Sequence, residues 1–194
     1  MTHSSLHHKL YIFDMGNVIL NNVYVNTAIS RKLGISLEAF NMFYAEPADR
    51  MMIGKLTPEG FWDEYTHLSG TLVEEDLLKN CFQPVENREM TDLLHSLRSR
   101  GARVVCGTNT YESHYSYMEK SGVFDHFDAI YASHIMGIAK PDVEFYQHIL
   151  NSENVKAEDA FFTDDLEVNV TAAKSIEIHA VLFETRDSIT SEML

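Results

Sequence analysis

An α/β protein with a parallel sheet and one helical insertion is the fold class that three features of the sequence predict. A short apolar run, Leu10 to Phe13, stops abruptly at Asp14. Helix-spaced apolar residues then dominate to about residue 86, and from Asn87 onward short buried strands alternate with amphipathic helices. Alternation of that kind implies parallel pairing with right-handed crossovers. The resulting expectation is a Rossmann-like core of residues 1–19 and 87–194, with a helical cap of residues 20–86 over the C-terminal strand ends.

In the insertion, Tyr24 to Lys32 and Ser36 to Ala45 carry apolar residues at helical spacing. Thr57-Pro58 supplies an N-cap and an N1 proline for a helix over Glu59 to Leu68, whose buried face is Phe61, Trp62 and Tyr65. A further helix is expected at roughly Glu74 to Cys81. In the core, Glu89 to Arg100 is amphipathic through Met90, Leu93, Leu94 and Leu97, and Gly101 stops it. There follow a strand Arg103 to Gly107, helix Tyr111 to Lys120, strand Ala129 to Ala132 and helix Val143 to Leu150. Strand Ala160 to Thr163, helix Leu166 to Ile176 and strand Ile178 to Phe183 complete the alternation.

Composition narrows the function. With 45% hydrophobic and 23% charged residues, the chain has the balance of an ordinary globular domain. A formal net charge of −14 argues against nucleic acid and anionic membrane as partners, and suits a divalent cation that brings an anionic substrate to acidic residues. Cys81 and Cys106 form neither a disulfide framework nor a zinc pattern, and no run approaches a membrane span, so the expected setting is soluble and cytoplasmic. His3, His7 and His8 are expected in a frayed N-terminal arm.

The chemistry sits at four strand ends. Asp14 follows the first strand, Thr108-Asn109 the second, Lys140-Pro141 follows Gly137-Ile-Ala, and Asp164-Asp165 follows Phe161-Phe162-Thr163. Gly107 allows close backbone approach beside Thr108. Open α/β sheets bind ligands at such C-terminal edges. Each piece alone has a plain structural reading as a turn, a loop or a helix start. Together and in this order they supply a nucleophile, a hydroxyl and N–H donors, a fixed cation and an acidic metal pair, which fits phosphoryl transfer to a carboxylate.

With these motifs in order, the chain resembles the haloacid dehalogenase superfamily of hydrolases over nearly its whole length. The segments are Phe13-Asp14-Met-Gly16-Asn17-Val18, Gly107-Thr108-Asn109-Thr110, Gly137-Ile-Ala-Lys140-Pro141 and Phe162-Thr-Asp164-Asp165-Leu-Glu-Val-Asn169. Gly16 followed by Asn-Val, and the stretch Gly54 to Phe61, resemble the branch containing glucose-1-phosphate phosphatase, with a helical cap of the first type. The resemblance implies that Asp14 attacks phosphorus and forms an aspartyl-phosphate that water hydrolyses. It further implies magnesium held by Asp14, the Gly16 carbonyl and Asp165, with Asp164 adjacent; Asp165 ranks first of the pair because Asn169 keeps the expected spacing after it. Thr108 and the Asn109 N–H would hold phosphoryl oxygens, and Lys140 would neutralise charge between nucleophile and phosphate.

The chain departs from the family pattern at Gly16, where most phosphatases of the family carry the general acid–base aspartate. The absence suits a substrate with a tolerable leaving group, and the expected substrate is a small phosphate ester such as an aldose 1-phosphate. Candidates for the missing group are His67, Glu64, Asp49 and Arg50 of the cap, and His114, which is expected on an exposed helix position. Glu177 stands where glycine often makes the last helix-to-strand turn, so that turn is expected to take another form. The rival readings are a metal-independent haloacid dehalogenase, which the acidic pair disfavours, a catalytically weak phosphate-ester binding protein, and a receiver-type phospho-acceptor. In receivers the acidic pair comes first in the chain; here it comes last.

Overall fold

A computed structural model describes residues 6–193. Among the described residues there are seven strands: β1 (Leu10–Phe13), β2 (Leu20–Asn21), β3 (Val85–Glu86), β4 (Arg103–Thr108), β5 (Ala129–Ala132), β6 (Ala160–Asp164) and β7 (His179–Leu182). Five of them form one sheet in the order β5-β4-β1-β6-β7, with every neighbouring pair parallel. The α/β expectation therefore holds, with β1 in the centre at the point where strand order reverses.

Helices α1 (Asn26–Leu33), α2 (Leu37–Met52) and α3 (Pro58–Ser69) form the insert after β1. The short helix α4 (Leu77–Asn80) precedes β3 within residues 20–86; the core helices are α5 (Arg88–Ser99), α6 (Glu112–Ser121), α7 (Ser133–Met136), α8 (Val143–Glu153), α9 (Glu167–Lys174) and α10 (Arg186–Met193). Side chains of a strand alternate between faces, and in β1 both faces are buried. Leu10 and Ile12 pack with Phe145, Tyr146 and Ile149 of α8, while Tyr11 and Phe13 join the opposite layer with Leu94 and Leu97 of α5. Each such side chain taken from water contributes about 1.5–3 kcal/mol, so β1 is anchored from two sides before it reaches Asp14.

Several local expectations hold. The Thr57 hydroxyl accepts from the Gly60 N–H at 3.1 Å, Pro58 is the first helical residue of α3, and Phe61, Trp62 and Tyr65 are buried. Gly101 adopts φ +86° just past α5, and Cys106 is fully buried.

Others are corrected. Helix α2 does not end near Ala45 but runs to Met52 through Pro47. Phe40, Pro47, Ala48 and Met51 share one buried stripe, and that burial outweighs the hydrogen bond the proline cannot donate. The Glu74 to Cys81 helix shrinks to the single turn α4, because Asp76 caps it by accepting from the Lys79 N–H. Glu177 adopts φ +70°, the left-handed form itself, so the last turn keeps the geometry that glycine would give it. His8 is not frayed: its ring contacts Tyr11, Phe161 and His179. His3 lies outside the described residues. The short elements β2, β3, α7 and α10 carry no readable periodicity and were not expected. No helix among the described residues is long and apolar enough to cross a membrane.

Two features fix the insert to the core. Strands β2 and β3 pair antiparallel, Leu20 with Glu86 and Asn21 with Val85, closing the insert at its root. Beyond α2, Gly54 takes φ +69°, and a Cβ there would lie 2.4 Å from the backbone oxygen of His134 in α7. Gly54→Ala is therefore expected to cost about 2–3 kcal/mol in urea unfolding, from left-handed strain plus a backbone collision. Gly34→Ala is the control: Gly34 has φ +70° but nothing within 4 Å of the added carbon, so strain alone remains, about 1 kcal/mol.

Candidate active site

Sheet register assembles the site. Phe13 pairs with Cys106 on one side and Thr163 on the other, so the next residues, Asp14, Gly107 and Asp164, stand at one level along three adjacent strands. Lys140 is not at the strand end expected for it: Gly137 turns left-handed at φ +74° after α7, and Ile138 and Ala139 lead to Lys140 through a loop that brings it to the other three. Its ammonium donates to Asp14 Oδ1 at 2.7 Å, Asp164 Oδ2 at 2.6 Å and the Gly107 carbonyl at 2.9 Å. Three N–H donors meet three acceptors, and the Lys140 side chain is only 1% exposed. Gly107 keeps this level uncrowded: a Cβ would come within 3.1 Å of side-chain carbons of both Ile12 and Ile149, which would have to shift slightly.

The loop carrying Lys140 is held by a clamp the sequence reading missed. Asn109 donates from Nδ2 to the Lys140 carbonyl at 2.8 Å and accepts the Lys140 N–H on Oδ1 at 2.9 Å. The Lys140–Pro141 peptide that follows is cis. The Asn109 side chain thus positions Lys140, a role distinct from the backbone N–H expected to meet phosphate. Thr108 is buried, and its hydroxyl has only a long 3.5 Å contact to the Asn109 carbonyl. The buried Thr110 hydroxyl has no partner among the described residues.

The acidic pair divides. Asp164 is fully buried and saturated: besides Lys140, it accepts from Asn169 Nδ2 at 3.0 Å on both oxygens and from the Leu166 N–H at 2.9 Å. Asn169 therefore serves Asp164, not Asp165. Half-buried Asp165 accepts from Asn17 Nδ2 at 2.8 Å. Asn17 itself adopts φ 55°, a turn position that asparagine tolerates, and also donates to the Tyr24 hydroxyl at 3.1 Å. No local pattern could have exposed that link, since Asn17 and Asp165 are joined only by the fold.

Ligand atoms of Asp14, Asp164 and Asp165 all lie within 4.8 Å of one another. Three carboxylates against one ammonium leave local negative charge, and an all-oxygen donor set is what a hard divalent cation prefers. The titration behaviour agrees. Burial pushes the Asp14 carboxyl up to about 7; Lys140 opposes that shift and Asp164 adds to it. Burial pulls the Lys140 ammonium down, but Asp14 and Asp164 more than offset this and hold it charged.

A cavity of about 310 Å³ opens beside these groups, and Gly16, Thr108, Asn109 and Thr110 form one end of its wall. Among the proposed replacements for a general acid, only His114 reaches it. His114 is not on an exposed helix face: its ring stacks on Phe82 at 3.8 Å, and burial lowers its pKa to about 4. Arg50 and Glu64 pair with each other in the insert, while Asp49 and His67 are exposed. None of those four borders the cavity.

Comparison with known proteins agrees with this arrangement. A family model described as haloacid dehalogenase-like hydrolase matches residues 8–177. The sesquiterpene phosphatase astK of Aspergillus oryzae is 30% identical over 175 residues, covering 87% of this chain and 86% of that protein. Acyl-CoA dehydrogenase family member 10 of Mus musculus is 25% identical over 202 residues, but the match spans only 19% of its length. Among solved structures, the HAD family enzyme bt-2542 of Bacteroides thetaiotaomicron, in complex with magnesium and inorganic phosphate, superposes with a TM-score of 0.83. It is 22% identical, covering 96% of this chain and 100% of that one. A match running from before β1 to the last turn of the core, together with the ends of β1, β4 and β6 and the Lys140 loop meeting at Asp14, places the chain in the haloacid dehalogenase-like hydrolase family.

Proposed function

We propose that the protein is a magnesium-dependent phosphomonoester hydrolase in which Asp14 accepts the phosphoryl group. The observation that carries the reading is the junction of Asp14, Lys140, Asp164 and Asp165 at one sheet edge, with a cavity opening at Gly16 and Thr108. The relative named as a sesquiterpene phosphatase, and the fold-mate solved with magnesium and phosphate, support the same reading.

Asp14, Asp165 and the Gly16 carbonyl would hold magnesium, with Asp164 behind them. When bound, the ion supplies charge neutralisation for the transferring phosphoryl group. Asp14 attacks phosphorus, the leaving alcohol departs, and water then cleaves the aspartyl-phosphate. Thr108 Oγ1 and the Asn109 N–H bind phosphoryl oxygens, and Lys140 favours the ionised form of Asp14 and aims it. The division into a core of residues 1–19 and 87–194 and a cap of 20–86 belongs to the same proposal, supported by the ribbon at 20–21 and 85–86. So do a cytoplasmic setting and the Gly16-bearing branch. The aldose 1-phosphate expected from the sequence rests on Gly16 alone, through the leaving-group argument, and is not carried into this proposal.

Phosphate release from an aryl phosphate, with and without a chelator, tests the reading. Release is expected to vanish with chelation and return with magnesium. Metal-independent halide release from a 2-haloacid, without phosphatase activity, would replace this reading with the dehalogenase one.

Gly16 also yields a gain-of-function expectation. Its φ is not in the left-handed region, and a Cβ there would make ordinary contacts, 3.6 Å to Val23 and 3.8 Å to Asp14 Oδ2. Gly16→Asp is therefore tolerated by the backbone and offers a carboxyl near the leaving group. General acid–base help is worth about 10²–10⁴; with imperfect placement, kcat for an alkyl phosphate is expected to rise at least about tenfold.

A further inference from the structure

Away from the catalytic loops, the wall of the 310 Å³ cavity is apolar. Met15, Val23, Val25, Met52, Phe82 and Met118 supply it, drawn from the core strand end, the insert and α6. Polar side chains also border the space, and most of them are bonded to other protein groups. The Tyr44 hydroxyl bonds the Tyr111 hydroxyl at 3.2 Å, and Tyr111 bonds His114 Nε2 at 3.1 Å, which also lies 3.2 Å from the Leu78 carbonyl. Tyr24 accepts from Asn17, and Asn26 donates to Asn41 Oδ1 at 2.8 Å. The ring of His114 lies against Phe82, and burial keeps the imidazole neutral near pH 7. The unpartnered hydroxyl, Thr110 Oγ1, follows closely on Thr108, at the phosphoryl end.

Building on the phosphatase reading, we infer that the organic part of the substrate is apolar: the site takes the monophosphate of a hydrocarbon alcohol in preference to that of a sugar. A sugar would bring several hydroxyls against a wall that is largely apolar and whose polar side chains mostly have partners already, and each unpaired buried hydroxyl costs about 1–3 kcal/mol. A hydrocarbon loses nothing there and gains from leaving water. At about 30 Å³ for each water-sized group, the cavity accommodates on the order of ten non-hydrogen atoms, enough for a medium chain or a compact ring system. The phosphate end stays at Asp14, Thr108 and Lys140, and the hydrocarbon lies between the core and the insert.

Binding of an n-alkyl phosphonate series, methyl to decyl, measured by calorimetry with magnesium, tests this without requiring turnover. Affinity is expected to rise about threefold to fourfold per methylene and to level off near the longest members. Val23→Thr, nearly isosteric at a half-buried wall position, should weaken decyl phosphonate about threefold or more and leave methyl phosphonate unchanged. Affinity independent of chain length, or glucose 1-phosphate turned over with a higher kcat/KM than decyl phosphate, would overturn the inference. The two readings fail separately. Aryl phosphate turnover that depends on magnesium, with a flat phosphonate series, removes the apolar substrate and leaves the phosphatase. A rising series without any turnover keeps the apolar site and removes the phosphatase.

Discussion

Asp14→Asn is expected to lower phosphate release by about 10⁴–10⁶, the range seen when a catalytic nucleophile is removed, while the protein stays folded. Asparagine keeps an oxygen where Lys140 now donates to Oδ1, and Lys140 retains Asp164 and the Gly107 carbonyl. Loss of activity without loss of structure separates a nucleophile from a structural acid. Stability carries a second signature. The folded Asp14 carboxyl titrates near 7 against an ordinary value of 3.8, chiefly because it is buried, with Lys140 working against the shift. A raised folded pKa means the native state holds the proton more tightly than the unfolded chain. The stability this group contributes is therefore complete below about pH 3.8 and lost as pH rises through about 7. In chelator, urea midpoints of the wild type should decline across that window through this group, and Asp14→Asn should lack that component. Magnesium, by favouring the ionised carboxylate, should flatten the same slope.

Lys140→Met is expected to be the most destabilising single change in the site. Methionine matches the length of the lysine stem and suits the Phe145 and Phe162 rings that lie 5.9 and 5.6 Å from the ammonium. It leaves the carboxylates of Asp14 and Asp164 facing one another without their cation. Removing one partner from a buried ionic cluster costs about 3–5 kcal/mol, a large share of the roughly 5–15 kcal/mol available to a domain. One carboxylate escapes the repulsion by taking a proton, so the loss should be smaller at pH 5 than at pH 8. Urea unfolding at both values checks this. Activity should fall as well, by about 10²–10³, the loss typical of removing one preorganised charge or donor. A variant equally stable at both pH values would show that Lys140 does not hold the two acids together.

Much of this was readable beforehand because strands buried on both faces are written as continuous apolar runs. Tyr11-Ile-Phe13 and Phe161-Phe-Thr163 announced themselves, and each ends in a carboxylate that needs a reason to be there. Asp14, Thr108 and Asp164-Asp165 followed from reading strand ends, whereas Lys140 sits in the loop after α7 and not at a strand end. What joins those ends was not readable. The Asn109 clamp spans 31 residues and the Asn17–Asp165 bond 148, distances over which sequence carries no periodic signal. Asn169 had been matched to Asp165 by spacing, yet a helix beginning at Glu167 turns its amide onto Asp164. The cavity wall was hidden for a different reason. Nothing in the sequence sets Met15, Met52, Phe82 and Met118 apart from other apolar residues, and only tertiary structure shows that they face a shared space. Pro47 and Glu177 mark the opposite case, where local preference pointed one way and burial or turn geometry prevailed.

Borohydride trapping during turnover addresses the central claim most directly. An aspartate phosphorylated on its carboxylate is reduced to homoserine, which peptide mass spectrometry locates. With magnesium and an aryl phosphate present, conversion is expected at position 14 and nowhere else, and it should disappear in chelator. Reduction at another carboxylate, or Asp14→Asn releasing phosphate at the wild-type rate, would contradict Asp14 as the residue that receives the phosphoryl group.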